Sequence, residues 1–251
     1  MNQLFIDIGH SRLKAAMQTG GELSVLIPVD YDEHSLLEKL NQIVNSETID
    51  SVWYSCLLSS GQCQEIHDSL THISNQVHAC VTQAKQCGVT NGYKEFSHLG
   101  SDRWLAMIAA YTKYKSSFVV IDCGTAITID CVDINGQHDG GMILPGYSMM
   151  QNGLTHQTEL NYHQVQGLDF KVNNLLSNLG KTTSDGIELG VIFSVCSLIE
   201  TIYTQRKEQS KSTRCIITGG DAERFAQHLN CEYQIEPNIV IDGMLIYSES
   251  I

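Results

Sequence analysis

The sequence predicts an α/β fold made of two similar halves that meet near residue 115. The length of 251 residues is enough for two small domains. Each half opens with short β-prone segments joined by tight polar turns and continues with segments of helical periodicity. An Asp-x-Gly sequence follows the first apolar segment of each half, and the two sequences lie 115 residues apart, at positions 7 and 122.

The first half is predicted to begin with a meander of three strands and to continue with alternating helices and strands. Leu36 and Leu40 recur at helical spacing, and Ser101 is expected to cap a helix. The expected strands lie at residues 4–8, 12–17, 22–27 and 51–56, and the expected helices at 34–46, 61–73 and from Leu99 onward.

The second half is predicted to repeat this order. Its first strand ends at Asp122, as the first strand of the chain ends near Asp7. The expected strands lie at residues 118–121, 126–132, 140–144 and 215–218, and the expected helices at 183–203 and 221–229.

Composition and charge exclude several classes of protein. With 28 acidic and 15 basic residues, the net charge of −13 would repel a nucleic-acid backbone. The nine cysteines are odd in number and form no Cys-x-x-Cys pair, which is against a zinc site and a disulfide framework. We expect them to be small buried side chains in a reducing compartment.

The chain is predicted to be cytoplasmic. Its first seven residues carry no basic region and end on the charged Asp7, unlike a signal peptide. Uninterrupted apolar runs fall short of the roughly 20 residues that span a bilayer.

The two Asp-x-Gly turns suit phosphate. A glycine at a hairpin tip lets backbone N–H groups approach an anion, and Ser11 or Thr125 adds a hydroxyl donor. Asp7 and Asp122 are placed to hold a cation or its waters against phosphate oxygens, and Lys14 could reach the same charge. Two such hairpins facing each other would grip a triphosphate. Either turn taken singly is also what an ordinary hairpin would show.

A third glycine-rich turn lies at residues 216–221, where a strand runs through Gly219 and Gly220 into a helix. This arrangement lets a helix N-terminus approach a ligand, as adenosine-binding loops require. A simple strand-to-helix turn would look the same.

Four blocks of the sequence carry a family resemblance. They are Asp-Ile-Gly at residues 7–9, Gly-Ser-Asp-Arg-Trp at 100–104, Asp-Cys-Gly-Thr-Ala at 122–126 and Gly-Gly-Met-Ile-Leu-Pro-Gly at 140–146. Supporting blocks are residues 91–93, Thr183 with Gly190, and residues 237–239. Together they resemble the type III pantothenate kinases, formerly grouped as Bvg accessory factor homologues, over essentially the whole chain.

The resemblance implies two tandem ribonuclease H-like domains of the actin-like ATPase superfamily, with ATP in the cleft between them. Residues 1–115 would form the domain with the first phosphate loop, and residues 116–251 the domain with the second phosphate loop and the adenosine motif. The implied reaction is ATP-dependent phosphorylation of the 4′-hydroxyl of (R)-pantothenate, the first step toward coenzyme A. The family also implies a homodimer whose substrate pocket uses both subunits, Mg²⁺, and a monovalent cation, K⁺ or NH₄⁺.

The resemblance also assigns roles to individual residues. Asp102 would be the base that receives the hydroxyl proton, Asp7 would lie near Mg²⁺, and Asp122 would bind the monovalent cation. The pantothenate contacts would be Tyr93, Gly100, Ser101, Asp102, Arg103 and Thr183. The ATP contacts would be Asp7, Ile8, Gly9, His10, Ser11, Arg12, Leu13 and Lys14 in the first loop and Thr125 in the second.

Four positions depart from the family pattern without removing a proposed catalytic group. His10 stands where the family usually has Asn, Phe96 where it has Pro, Gly186 for Ala and Asp242 for Glu. Imidazole is bulkier than a carboxamide and titrates near neutrality, so the departure at His10 bears most directly on nucleotide contact.

Two other functions stay open. The chain could be a kinase of the same superfamily for another small acceptor, although the Asp102-Arg103 block after Gly92-Tyr93 resembles the pantothenate side of the family. It could also be a non-catalytic regulator that retains the kinase fold, which the presence of Asp102 makes less expected.

Overall fold

The chain forms two structural units, each built around its own β-sheet. The computed structural model describes residues 1–25, 28–31, 35–43, 48–158, 170–174 and 179–251. Met1–Thr112 together with Asn238–Ile251 make the first unit, and Lys113–Pro237 make the second.

The first unit follows the predicted order of elements. Its strands are β1 (Asn2–Ile8), β2 (Arg12–Thr19), β3 (Glu22–Val25), β4 (Val29–Asp30), β5 (Ser51–Cys56), β6 (Val77–Ala79), β7 (Lys85–Gln86) and β8 (Val89–Thr90). Its helices up to residue 114 are α1 (Leu36–Ile43), α2 (Ser60–Thr71) and α3 (Ser101–Tyr114), with a 3₁₀ turn at Phe96–His98. Residues 26–27, 34 and 44–46 of the predicted strand and helix lie outside the described residues.

The second unit restarts the same order. Its strands are β9 (Phe118–Cys123), β10 (Ala126–Val132), β11 (His138–Pro145), β12 (Arg214–Thr218) and β13 (Gln234–Ile235). Its helices are α4 (Tyr147–Thr158), α5 (Thr183–Gln209) and α6 (Ala222–Ala226). Helix α6 is shorter than the predicted 221–229, and α4 was not predicted.

The two sheets share one connectivity, which confirms the predicted repeat. Within the described residues the strand order is β3-β2-β1-β5-β6 in the first unit and β11-β10-β9-β12-β13 in the second. In both, the first three strands form an antiparallel meander, and a later strand, β5 in the first unit and β12 in the second, pairs in parallel with the first. Two parallel strands of one sheet must be joined by a crossover connection, which is usually helical. Helices therefore follow the meander in each unit.

The last helix, α7 (Ile239–Ser248), belongs to the first unit and contacts β1 and β5. The predicted division at residue 115 placed this segment in the second domain. Its apolar residues are instead buried in the first unit, where Gly243 packs directly on the backbone carbonyl of Leu105 in α3. Burial of this nearly all-apolar helix explains why the chain returns to the first sheet.

Helix α5 is long and apolar enough to cross a membrane by length and composition, although polar residues interrupt its apolar run. Its most apolar window is 56% buried inside the second unit. Val195, Cys196 and Ile199 of this helix are fully buried in the core beneath the second sheet. Packing inside the unit therefore accounts for its apolar character.

The expectation of unpaired cysteines is wrong at one place. A disulfide joins Cys56 at the end of β5 to Cys63 in α2, with 6.0 Å between their Cα atoms. The loop between them turns the chain back on itself, a tertiary feature that cysteine spacing does not reveal. Four of the free cysteines are buried, as expected: Cys80, Cys123, Cys196 and Cys215.

Replacing Gly243 by Ala should destabilise the first unit. A Cβ at this position would lie 2.1 Å from the carbonyl oxygen of Leu105, so α7 would have to shift away from α3. Over-packing of this kind costs about 1–3 kcal/mol. Gly61→Ala in α2 is the matched control, because nothing lies within 4 Å of the added Cβ. Urea unfolding should show a lower midpoint for Gly243→Ala and not for Gly61→Ala; equal midpoints would contradict the packing of α7.

Candidate functional site

The first loop, residues 7–14, comprises the turn between β1 and β2 and the strand residues on either side, and Tyr31 holds it in shape. The N–H of Gly9 donates to the carbonyl of Arg12 at 3.0 Å, which closes the turn. The Tyr31 hydroxyl donates to the carbonyl of Gly9, and the Tyr31 N–H donates to the carbonyl of Ser11 at 3.2 Å. Two hydrogen bonds from one residue thus fix the backbone of the loop.

Asp7 lies one residue before the end of β1, between two polar neighbours. Lys14 is directly opposite it on β2, and Ser55 is beside it on β5. Its negative charge also affects the pKa values of two nearby side chains, Tyr31 and Cys80. Burial and then the Asp7 charge raise the pKa of the Tyr31 hydroxyl, and the same two causes raise the pKa of the Cys80 thiol to about 12. Both groups therefore stay protonated at neutral pH.

The N-terminus of α3 reaches the same region through Ser101. The Ser101 Oγ lies 2.8 Å from the Ser55 Oγ, so the start of α3 is attached to the strand beside Asp7. The predicted cap is one residue off. The carbonyl of Gly100 accepts the first helical hydrogen bond, from the N–H of Trp104 at 3.1 Å, so Gly100 holds the cap position.

Asp102 lies in the first turn of α3, where the helix dipole favours a negative charge. Its carboxylate folds back over the start of the helix and lies close to Gly100. A Cβ added to Gly100 would be only 2.5 Å from Asp102 Oδ1. Glycine at position 100 therefore provides the space that this carboxylate occupies.

Arg103 is buried and paired with Tyr93. Its Nη1 donates to the Tyr93 hydroxyl at 2.8 Å, and its guanidinium lies 5.5 Å from the centre of the Tyr93 ring. The N–H of Tyr93 donates to Asn91 Oδ1 at 2.9 Å, which sets the ring at the end of a tight turn. The structure thus brings together two residues predicted to contact the acceptor.

The other residues of the first loop differ in their exposure to solvent. Ile8 and Leu13 are fully buried, so only their backbone could meet a ligand. Arg12 is exposed, and its Nε donates to Asp30 Oδ1 at 2.7 Å. His10 is exposed and lines a pocket of about 250 Å³ together with Tyr31.

The second loop, residues 122–126, lies at the matching place in the second unit. Asp122 is one residue before the end of β9, and Thr218 of the parallel strand β12 is beside it. Thr125 is exposed at the tip of the turn, and its carbonyl accepts the N–H of Gly146 at 3.0 Å. A Cβ on Gly146 would lie 2.2 Å from that carbonyl oxygen, so only glycine allows this approach.

The predicted adenosine turn packs on the second loop. Gly219 has φ of +95°, and an added Cβ would lie 2.4 Å from the carbonyl oxygen of Cys123 and 2.5 Å from Asp122 Oδ1. The N–H of Asp221 donates to the same Cys123 carbonyl at 3.0 Å. Both turns therefore meet at the carboxyl ends of β9 and β12, the place where open α/β sheets bind ligands.

Thr183 is exposed at the start of α5, and Thr182 before it caps the helix through its side chain. Thr183 lines a groove of about 450 Å³ between α4 and α5. The groove is otherwise mainly apolar, with Met150 and Leu154 on the α4 side. The residues that line this groove do not include the second loop, Gly146 or the adenosine turn.

Sequence reasoning missed the supporting residues Tyr31 and Ser55. Ser55 had a weak signal, as a polar residue near the end of the apolar strand Ser51–Cys56. Tyr31 had none, because its hydrogen bonds join a short edge strand to a turn 20 residues earlier in the sequence.

Among the described residues, no cluster of three or more His, Cys, Asp or Glu side chains could hold a metal ion. Asp7 and Asp122 each offer one carboxylate, in separate units. One such carboxylate fits Mg²⁺, which usually keeps several waters and takes one or two protein carboxylates together with substrate phosphates. Carboxylate oxygen also suits a hard monovalent cation.

Comparisons with known proteins give one consistent family. A model of the family described as type III pantothenate kinase matches residues 3–205. A type III pantothenate kinase of Marinobacter nauticus is 31% identical over 244 residues, covering 96% of each chain. Another, of Pseudomonas syringae, is 32% identical over 254 residues and covers 97% of each.

Solved structures show the same fold at low identity. A conserved protein of Campylobacter jejuni described as a Baf family transcriptional activator has a TM-score of 0.58 at 20% identity, over 98% of each chain. A Sinorhizobium meliloti protein described as a 2-dehydro-3-deoxygalactonokinase has a TM-score of 0.57 at 12% identity, over 98% of each chain. MreB5 of Spiroplasma citri, bound to ADP, has a TM-score of 0.51 at 12% identity, over 99% of this chain and 96% of that one. These likenesses confirm the predicted actin-like two-domain fold.

Thiol labelling should report the burial around Asp7. Since the pKa of Cys80 is raised to about 12, its thiol is neutral at pH 8 and should react with iodoacetamide far more slowly than a free thiol. Cys196 is also buried, with its pKa raised to about 12, and should behave in the same way, whereas the half-buried Cys87 should be labelled faster than both. Mass spectrometry after timed labelling measures this, with the reduced, denatured chain as control. Labelling of Cys80 as fast as in the denatured chain would contradict the structure.

Proposed function

The chain belongs to the type III pantothenate kinase family, and on that premise we propose that it transfers the γ-phosphoryl group of ATP to the 4′-hydroxyl of (R)-pantothenate. The reaction is the first step toward coenzyme A. The observation that carries the proposal is the position of Asp102, at the N-terminus of a helix that Ser101 attaches to the strand beside Asp7. A candidate base and a candidate phosphate loop are thus built into one unit.

Asp102 would orient the acceptor hydroxyl and receive its proton. An ordinary carboxylate is a weak base toward an alcohol, so the proton moves late, as the bond to phosphorus forms. Tyr93 and Arg103 would hold the rest of pantothenate, with the Arg103 guanidinium directed at its carboxylate. Because Arg103 is buried against Tyr93, it is already oriented before the acceptor binds.

The two loops would hold the phosphates of ATP. In phosphoryl transfer the protein mainly positions groups and neutralises charge. Backbone N–H groups of the first loop and the Lys14 ammonium would do this in the first unit, and the Thr125 hydroxyl of the second loop in the second unit. The glycine turn at 219–220 would admit the adenosine portion, since glycines without side chains let a ligand approach the backbone of the turn closely.

Two cations complete the proposed site. Asp7 would hold Mg²⁺, through water, and Asp122 would bind K⁺ or NH₄⁺. Bound there, the cations would neutralise charge on the phosphate oxygens. Asp7 is suited to this because it supplies a carboxylate near the end of β1, with the polar Ser55 beside it on β5.

We also propose that the protein is a cytoplasmic homodimer. The support for the dimer is the apolar groove between α4 and α5, beside which Leu154 and Met149 are exposed. Apolar surface of this kind marks an interaction site. Thr183 lines the groove, so a second copy bound there would bring Thr183 close to residues of its partner, as a pocket formed by both subunits requires.

Pantothenate-dependent ADP release tests the proposed reaction. Purified protein is given ATP, Mg²⁺ and pantothenate, with K⁺, NH₄⁺ or neither. Asp102→Asn should lower kcat by about 100-fold or more, because removal of a general base costs 10²–10⁴. Asp68→Asn, at an exposed position on α2 of the same unit, is the matched control and should keep full activity.

The other outcomes identify the alternatives. ADP release that needs a different acceptor would indicate a kinase of the same superfamily for another small molecule. A folded protein that releases no ADP with any cation would indicate a non-catalytic regulator. Activity independent of K⁺ and NH₄⁺ would refute the role proposed for Asp122 and leave the reaction itself standing.

The dimer is tested by Leu154→Asp. Leu154 is 43% exposed, so the charge should leave the fold intact while disrupting an apolar contact across the groove. Sedimentation should show a shift from dimer to monomer. Ile134→Asp, at a position that is 49% exposed in the turn after β10, is the control and should stay dimeric. A dimer that survives Leu154→Asp would place the interface elsewhere.

A further inference from the structure

A buried carboxylate, Glu188, lies in the apolar helix α5 of the second unit. It is 2% exposed. Its Oε2 accepts hydrogen bonds from the Tyr147 hydroxyl at 2.5 Å and from Gln151 Nε2 at 2.7 Å. Both donors are on α4, so the carboxylate joins the two helices. A buried charge is costly unless it is paired and hydrogen-bonded, and this one has both kinds of partner.

The charged partner is Arg224 of α6. Its Nη1 lies 3.7 Å from Glu188 Oε1, and its guanidinium lies 3.8 Å from the centre of the Tyr147 ring. On its other side, Arg224 Nε donates to Asp221 Oδ1 at 3.3 Å. Arg224 thus connects the buried carboxylate to the end of the glycine turn.

Two backbone N–H groups at the edge of this cluster, those of Gly146 and Asp221, donate to the second loop. Tyr147 follows Gly146, whose N–H donates to the carbonyl of Thr125 at 3.0 Å. Asp221 donates its N–H to the carbonyl of Cys123, also at 3.0 Å. Two of the hydrogen bonds that hold the loop therefore come from segments that converge on Glu188.

We propose that Glu188 is a positioning residue for the second loop. Through Tyr147 it sets the start of α4 and the N–H of Gly146, and through Arg224 it sets Asp221 and the glycine turn. The expected effect on ATP binding rests on the proposed function, which assigns the second loop to the phosphates of ATP. Groups that bind transferring phosphates must be held to within about 0.5 Å, and a carboxylate joining α4, α5 and α6 can supply that precision.

Glu188→Gln tests the proposal, since it keeps the size of the side chain and removes its charge. The ion pair with Arg224 is lost in this variant. We therefore expect KM for ATP to rise by about tenfold, while KM for pantothenate changes less than about twofold. Tyr147→Phe removes the hydrogen bond that the hydroxyl donates to Glu188 and the one that it accepts from Gln151, and it leaves the pair with Arg224 in place. It should give a smaller change, of about threefold in KM for ATP. It also serves as the second variant if Glu188→Gln does not fold.

Asp130→Asn is the matched control for stability. Asp130 forms a fully buried pair with His138, at 2.9 Å, within the same unit. It lies four residues along β10 from Ala126, about 13 Å from that end of the loop at the usual rise of a strand, and it pairs with Val120, two residues before Asp122. This variant should lower Tm as Glu188→Gln does, and leave KM for ATP unchanged.

Hydrogen exchange separates the inference from the proposed function. In the protein without substrates, Glu188→Gln should speed exchange of the Gly146 and Asp221 amides by about tenfold relative to wild type, and Asp130→Asn should not. Unchanged exchange and unchanged KM for ATP would overturn the inference. So would equal effects of Glu188→Gln and Asp130→Asn, because they would show a general loss of stability. A wild-type protein without pantothenate-dependent turnover would refute the proposed function, and amide exchange would still decide the role of Glu188.

Discussion

Parallel pairing at the centre of each sheet is the constraint on which the rest of the structure depends. Strand β1 pairs with β5 and strand β9 with β12, so the carboxyl ends of two strands meet in each unit. The Asp of each loop lies one residue before such an end, beside Ser55 in one case and Thr218 in the other. The polar side chains gather where the strands stop, since their backbone hydrogen bonding ends there and the loops leave the sheet.

The supports of the two loops differ, although the strands beneath them match. In the first unit a side chain, Tyr31, holds the turn through its hydroxyl and its own N–H. In the second unit the supports are backbone groups of Gly146 and Asp221, brought close because Gly146 and Gly219 have no side chain to keep them away. A loop held by backbone groups depends on the contacts that fix the segments carrying those groups. The proposed role of the cluster around Glu188 and Arg224 is to fix these segments.

Charge is organised locally in a protein whose net charge is −13. Lys14 is opposite Asp7, Arg103 is buried on Tyr93, and Arg224 bridges Glu188 and Asp221. An acidic chain can bind anionic substrates if its cations and backbone N–H groups are concentrated at the site, because interactions over longer distances are screened by salt.

The sequence by itself determined the repeat, the central strands and the two Asp turns, because alternation, tight turns and Asp-x-Gly spacing are local properties of the chain. Through the family resemblance it also predicted that Arg103 and Tyr93 each contact pantothenate. Only the tertiary structure decided that α7 belongs to the first unit, that Cys56 meets Cys63, and that Gly100 caps α3. It alone brought Glu188 to Arg224, since such contacts join residues distant in sequence and follow from packing. The two Asp turns thus came from sequence, and the groups that hold them came from the fold.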